Sequence, residues 1–220
     1  MSQVALFPPA AGHIGTDESG KGDFFGPLVI AGFFCPEGQG PVLTELGVRD
    51  SKTLSDRKIR DLAETLRAGY VHSIVAIGPE KYNELYDQFR NLNKLLAWGH
   101  ARVIENILER VDASKAITDQ FGDERLVLQA LMKKGRQIEL LQRPGGESDP
   151  AVAAASILAR AEFVKRLAAL SRQWEVDLHK GAGPPVESSA AAFLARHGAA
   201  ALGQVAKLHF KTATRVLGRL

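Results

Sequence analysis

The sequence predicts a mixed α/β fold: a five-stranded sheet flanked by helices, with further helices at the C-terminus. Three observations point there. Five short apolar segments carry strand patterning, and the residues between and after them recur at three- and four-residue spacing, the period of a helix. Ala153, Ala154, Ala155 and Ala159 also make one late helix slim enough to lie close on a sheet.

In chain order, residues 1–13 are Pro/Ala-rich and expected to be irregular. A first strand is expected over Ile14–Glu18, running into a glycine turn. Leu28–Cys35 is an unbroken apolar run that reads as a buried strand, and Tyr70–Ile77 alternates like a third. These three should pair antiparallel. Before the third, Ser55 caps a helix reaching about Arg67, with Asp56 in its first turn. From Pro79 onward the pattern turns helical, carried by Leu92, Leu95, Leu96, Trp98, Val103, Ile104 and Ile107. Lys115–Asp119 is a fourth strand and Gln137–Leu141 a fifth. Helices then follow from Ala151 to about Leu170, from Val186 to His197, and along a basic tail. Gly181-Ala182-Gly183-Pro184-Pro185 is too short a loop to separate two cores, so residues 1–220 read as one domain whose residues 185–220 are a helical C-terminal part.

Composition narrows the class. A chain of 220 residues, 45% hydrophobic, can bury a full core. Its single cysteine, Cys35, leaves no partner for an intrachain disulfide and no cysteine-based zinc site, and is expected to pack as a small apolar group. No export signal or long apolar run is present, so a cytoplasmic monomer with no membrane contact is expected. The net charge is only +3, but Lys207, Lys211, Arg215 and Arg219 recur every four residues. A helical tail would gather them on one face able to meet phosphates, or simply solvated.

Two acids followed by a glycine-spaced lysine dominate the functional reading: Gly15-Thr16-Asp17-Glu18-Ser19-Gly20-Lys21-Gly22. Adjacent carboxylates repel unless a cation stands between them, which points to a metal site. The glycines point to close approach by a ligand. The same letters spell a phosphate loop, but Gly22 stands where Ser or Thr would hold magnesium, and Asp17 and Glu18 would put negative charge inside the cradle. Asp119 closes the fourth strand and Glu147 lies just before the alanine-rich helix; singly, each reads equally well as a cap or helix-start residue. Together, four carboxylates with no thiol or evident histidine partner suit hard cations such as Mg2+ or Mn2+.

With these motifs in order, the chain resembles the type 2 ribonuclease H family, ribonuclease HIII more than ribonuclease HII. The likeness rests on Asp17-Glu18-Ser19-Gly20-Lys21-Gly22-Asp23-Phe24-Phe25-Gly26-Pro27, Asp50-Ser51-Lys52-Thr53-Leu54, the segment from Asn93 to His100, Asp119-Gln120-Phe121, the segment from Ala151 to Arg160, and Lys180-Gly181-Ala182-Gly183. It implies a ribonuclease H-like fold and endonucleolytic cutting of RNA in RNA/DNA hybrids, using two metal ions and leaving 5′-phosphate and 3′-hydroxyl ends. Asp17, Glu18 and Asp119 match three of the family's four metal-binding acids; Glu147 is the best match to the fourth, with Asp149 as the alternative. Gly20-Lys21-Gly22, with Ser19, matches the motif whose main chain reads the ribose 2′-hydroxyl, the group that separates RNA from DNA. Ser51 and Lys52 match substrate contacts, Lys52 to a phosphate.

Two departures carry expectations. Ribonuclease HIII usually has an extra N-terminal substrate-binding domain, yet only sixteen residues precede Asp17 here, so the core is expected to grip the hybrid by itself, with help from the Lys207–Arg219 face. Where ribonuclease HII has a tyrosine that recognises an RNA-DNA junction, this chain has Ala182, so poor cutting at single embedded ribonucleotides is expected. The alternatives are incision at single ribonucleotides, as in ribonuclease HII, or hybrid binding with little turnover.

Overall fold

Leu28–Pro36 is buried along nearly its whole length, so this strand must be covered on both faces. The computed structural model, which describes residues 11–218 apart from the side chain of Glu124, places it inside a five-stranded sheet. The chain runs through β1 (Gly12–Ser19), β2 (Leu28–Pro36), α1 (Gly40–Glu45), α2 (Asp56–Gly69) and β3 (His72–Ile77). It continues through α3 (Pro79–Phe89), α4 (Leu92–Leu108), β4 (Lys115–Asp119), α5 (Glu124–Ala130) and β5 (Glu139–Arg143). It ends with α6 (Pro150–Trp174), α7 (Pro184–His197) and α8 (Lys211–Leu217). The sheet order is β3-β2-β1-β4-β5. The first three strands pair antiparallel as expected, whereas β4 joins β1, and β5 joins β4, in parallel.

Small residues let helices approach both faces. On one face, α6 presents its buried alanines to the sheet; a Cβ on Gly15 would lie 2.2 Å from the Ala151 carbonyl carbon, so glycine is required where the helix crosses β1. Val29, Ala31, Phe33 and Cys35 of β2 face this side and join α2 and α6 in one core, where Cys35 packs as expected. On the other face α4 covers Leu28, Ile30 and Ile14, and a Cβ on Gly32 would meet Ile107 at 2.8 Å.

Several boundaries shift for local reasons. β1 opens at Gly12, inside the stretch expected to be irregular; residues 1–10 lie outside the described residues. α2 begins after Ser55, whose hydroxyl accepts the Lys58 amide, and runs on to Gly69, so β3 starts at His72. β5 starts at Glu139 because Gly135–Gln137 forms a 3-10 turn. The basic tail departs most. Lys207 is fully buried and precedes the last helix, Arg215 pairs with Glu187 at 2.7 Å, and Arg219 lies outside the described residues. The expected face of four cations therefore does not form, because Lys207 turns inward to main-chain carbonyls.

Candidate active site

The parallel pairing of β1 with β4 brings the acids together. Thr16 is in register with Thr118, so Asp17 and Asp119 follow one residue later on neighbouring strands, at the edge where both strands end. Side chains alternate along β1. Asp17 turns to the α6 side, where the nearby Ser156 hydroxyl favours its ionised form; Glu18 turns to the α4 side, where Nε2 of His100 donates to its Oε2 at 3.2 Å. The two adjacent acids thus leave one strand end by opposite faces.

Each acid has its own environment. Desolvation, with Glu18 as the next cause, lifts the Asp17 pKa to about 7, even though the Glu18 amide donates to its Oδ1 at 2.8 Å. Burial also works against ionised Glu18, but His100 and then Lys21 outweigh it and hold its pKa below the usual value. Lys21 Nζ lies 3.3 Å from Glu18 Oε1 and 5.9 Å from the centroid of the Phe121 ring. Phe121 stacks on His100 with centroids 4.7 Å apart, and His100 Nδ1 shares a 2.8 Å hydrogen bond with the Thr16 hydroxyl. Asp119 accepts the amide of Gly146 at 3.1 Å.

Around these groups lies a cavity of about 310 Å³. Its lining holds Asp17, Glu18 and Asp119 together with Ser19, Gly20, Lys21, Gly22, Ser51 and Lys52. The two glycines differ. Gly20 has φ +87°, and a Cβ there would sit 2.2 Å from the Pro27 carbonyl oxygen, so the fold itself demands glycine. A Cβ on Gly22 would meet nothing within 4 Å, so the fold leaves that position open. In Asp50-Ser51-Lys52, Asp50 accepts the Lys52 amide at 3.0 Å, Ser51 is buried against the Ser156 hydroxyl at 2.8 Å, and Lys52 is exposed.

The matching sequences decide the family. A family model described as ribonuclease HII matches residues 14–213. The chain belongs to the ribonuclease HII family. Ribonuclease HIII of Protochlamydia amoebophila is 48% identical over 208 residues, spanning 94% of this chain and 69% of the relative. Ribonuclease HIII of Chlamydia trachomatis is 47% identical over 209 residues, spanning 94% and 70%. Among solved structures, the crystal structure of Bst-RNase HIII in complex with Mn2+ matches with a TM-score of 0.87 at 30% identity, covering 96% of this chain and 70% of that one. The resemblance and the fold drawn from the motifs hold, and the chain is a type 2 ribonuclease H nuclease.

In this ribonuclease H, nine of the ten residues singled out from sequence line one cavity; the tenth, Glu147, stands outside that lining. Glu147 lies in the 3-10 turn Gly146–Ser148, one residue beyond the glycine that donates to Asp119. Asp149, its alternative, is the N-cap of α6, accepting the amides of Ala151 and Val152 and bonding His13 Nε2 at 2.9 Å. His13 lies four residues before Asp17 on β1, about 13 Å away along a strand, so its partner Asp149 lies toward the opposite end of β1 from the acids. Among the described residues, no three His, Cys, Asp or Glu side chains form a ready-made metal cluster, but the Asp17, Glu18 and Asp119 carboxylates are oxygen donors able to hold a hard cation.

Sequence reasoning missed the histidine. His100 closes the Asn93–His100 motif and sits on the buried stripe of α4 with Leu96, Val103 and Ile107, a spacing that reads as core. It also missed Gln120, Ser156, Arg160 and Asp23 in the cavity wall, contributed by three separate segments. No helix of the described residues is long and apolar enough to cross a membrane.

Proposed function

We propose that this chain cuts the RNA strand of RNA/DNA hybrids internally and leaves 5′-phosphate and 3′-hydroxyl ends. The observation that carries the reading is the open position at Gly22, in the same cavity as Asp17, Glu18 and Asp119. There a ribose can approach the main chain of Gly20-Lys21-Gly22 closely enough for its 2′-hydroxyl to be tested, while its phosphate reaches the acids.

The donor set fits divalent cations. Burying two carboxylates together costs Asp17 its ordinary acidity, and a cation would relieve that cost. Asp17, Glu18, Asp119 and Glu147 would hold two ions, Mg2+ or Mn2+; the related Bst-RNase HIII structure is a Mn2+ complex. Bound there, such ions supply Lewis-acid stabilisation and a more acidic water. The remaining residues prepare the site. His100, fixed by Thr16 and Phe121, orients Glu18; Lys21 offsets its charge; Lys52 stands exposed at the rim for a phosphate. Ala182 neighbours Gly181, whose main chain bonds Asp23 and Phe24, so position 182 offers this edge of the site a methyl group where an aromatic side chain would stack, which favours RNA runs over single ribonucleotides.

The test is a matched set of labelled duplexes with Mg2+ or Mn2+: RNA/DNA hybrid, all-DNA and all-RNA. Cleavage of the hybrid alone, with ligatable 5′-phosphate ends, is the expected result. Hybrid binding without cutting in either metal, or equal cutting of all-DNA, would overturn the reading.

A further inference from the structure

Lys207 is a lysine with no exposed surface, and its place relative to the reading loop gives it a task. Its Nζ donates to the carbonyl oxygens of Asp23 and Gly26 at 2.8 Å each, and of Phe25 at 3.5 Å. Three acceptors match the three N–H bonds of an ammonium group. Its Nζ also lies 5.6 Å from the centroid of the buried Tyr82 ring. Desolvation draws its pKa down to about 7, with Asp23 opposing, and bonds to the loop carbonyls favour the protonated form.

The rest of the segment joins the same grip. The Lys207 amide donates to the Phe24 carbonyl at 2.9 Å, the Gly26 amide donates to Val205, and Phe25 forms an isolated β-bridge with Ala206. Asn83 of α3 holds this segment from behind, bonding the carbonyls of Gly203 and Ala206 and the amide of Leu208. The loop's other side is tied by Gly181, whose amide donates to Asp23 Oδ1 at 2.6 Å. Residues 23–26 follow Gly20-Lys21-Gly22 directly, and the Asp23 amide closes a turn onto the Gly20 carbonyl at 3.3 Å.

The geometry points to Lys207 as a positioning residue: its buried ammonium clamps the main chain of Asp23–Gly26 and thereby holds Gly20-Lys21-Gly22 at the height from which it meets the ribose. This rests on the reading of that tripeptide as the ribose contact. Removing the ammonium leaves three carbonyls unsatisfied beside an otherwise packed loop, so the first effect falls on the loop and not on the acids.

Lys207→Met keeps an unbranched side chain that ends one atom short of the nitrogen and removes the charge. Against wild type, amide exchange in residues 20–26 should speed up in the absence of nucleic acid. KM for an RNA/DNA hybrid should rise about tenfold with a smaller fall in kcat, while Mn2+ affinity measured by calorimetry without nucleic acid stays unchanged. A core control, Ile59→Val in α2, should lower stability without moving exchange at the loop or KM. If Lys207→Met does not fold, Lys207→Gln, which keeps a donor for one carbonyl, should give the same changes at smaller amplitude. Unchanged exchange at residues 20–26 overturns the clamp, and faster exchange with unchanged KM overturns the positioning role. A wild-type protein that fails to cut hybrids overturns the proposed function instead, while the exchange measurement still judges the clamp.

Discussion

Asp17 shows how one residue can set opposing demands on stability and function. Its pKa rises from 3.8 to about 7 in the fold, so the folded protein binds more protons than the unfolded chain between those values. Stability of the metal-free protein should therefore fall as pH rises from about 4 to about 7, with that loss complete above it. Glu18 runs the other way: its contribution is present above 4.5 and lost as pH falls through its lowered value. Asp17→Asn should abolish hybrid cleavage while raising the melting temperature of chelator-treated protein at pH 8 by on the order of 5 °C, with little gain at pH 4. Thermal melts at the two pH values check this. The glycines separate in the same manner. Gly20→Ala should cost more than about 1 kcal/mol, from its positive φ and its contact with Pro27, whereas Gly22→Ala should leave stability unchanged and lower kcat/KM on hybrids at least about tenfold. Equal losses of stability in both variants would remove the distinction between a glycine of the fold and a glycine of the site.

At the scale of elements, α6 ties fold to site. Its alanines and Gly15 let it lie on β1, its Ser156 reaches Asp17, and its cap Asp149 anchors it to His13. Asp149→Ala should cost about 1 kcal/mol of stability, read in denaturant melts, and retain cleavage. Glu147→Gln should retain stability and lose cleavage. The reverse pattern would make Asp149 the fourth acid. The alanine spacing and the Ser55 cap made α6 and α2 readable from sequence, because both signals are local. His100 was not readable as a partner of Glu18, since a histidine at helical spacing on a buried stripe looks like any core residue until β1 is seen against it. The basic tail misled for a related reason: a four-residue period counts cations but does not show which way a lysine turns, and Lys207 turned inward.

For the whole molecule, the sheet order makes the site, because only the parallel β1–β4 pairing sets Asp119 beside Asp17. The activity should accordingly vanish with EDTA and return with Mg2+ or Mn2+. With Ala182 at the loop edge, a duplex bearing one ribonucleotide should be cut at least about tenfold more slowly than one bearing four, measured as initial rates under single-turnover conditions. Equal rates would assign the chain a junction preference that Ala182 does not supply. By itself, the sequence determined the strands and main helices, the pair Asp17-Glu18 and the glycines after it, for these are written in neighbouring residues and in periods of two and near four. Only the tertiary structure decided that Asp149 is a cap, that His100 braces Glu18, that Gly20 serves the fold while Gly22 stays open, and that Lys207 is buried. The brace on Glu18, the burial of Lys207 and the tie from Asp149 to His13 each join residues more than 80 positions apart, and no local pattern carries them.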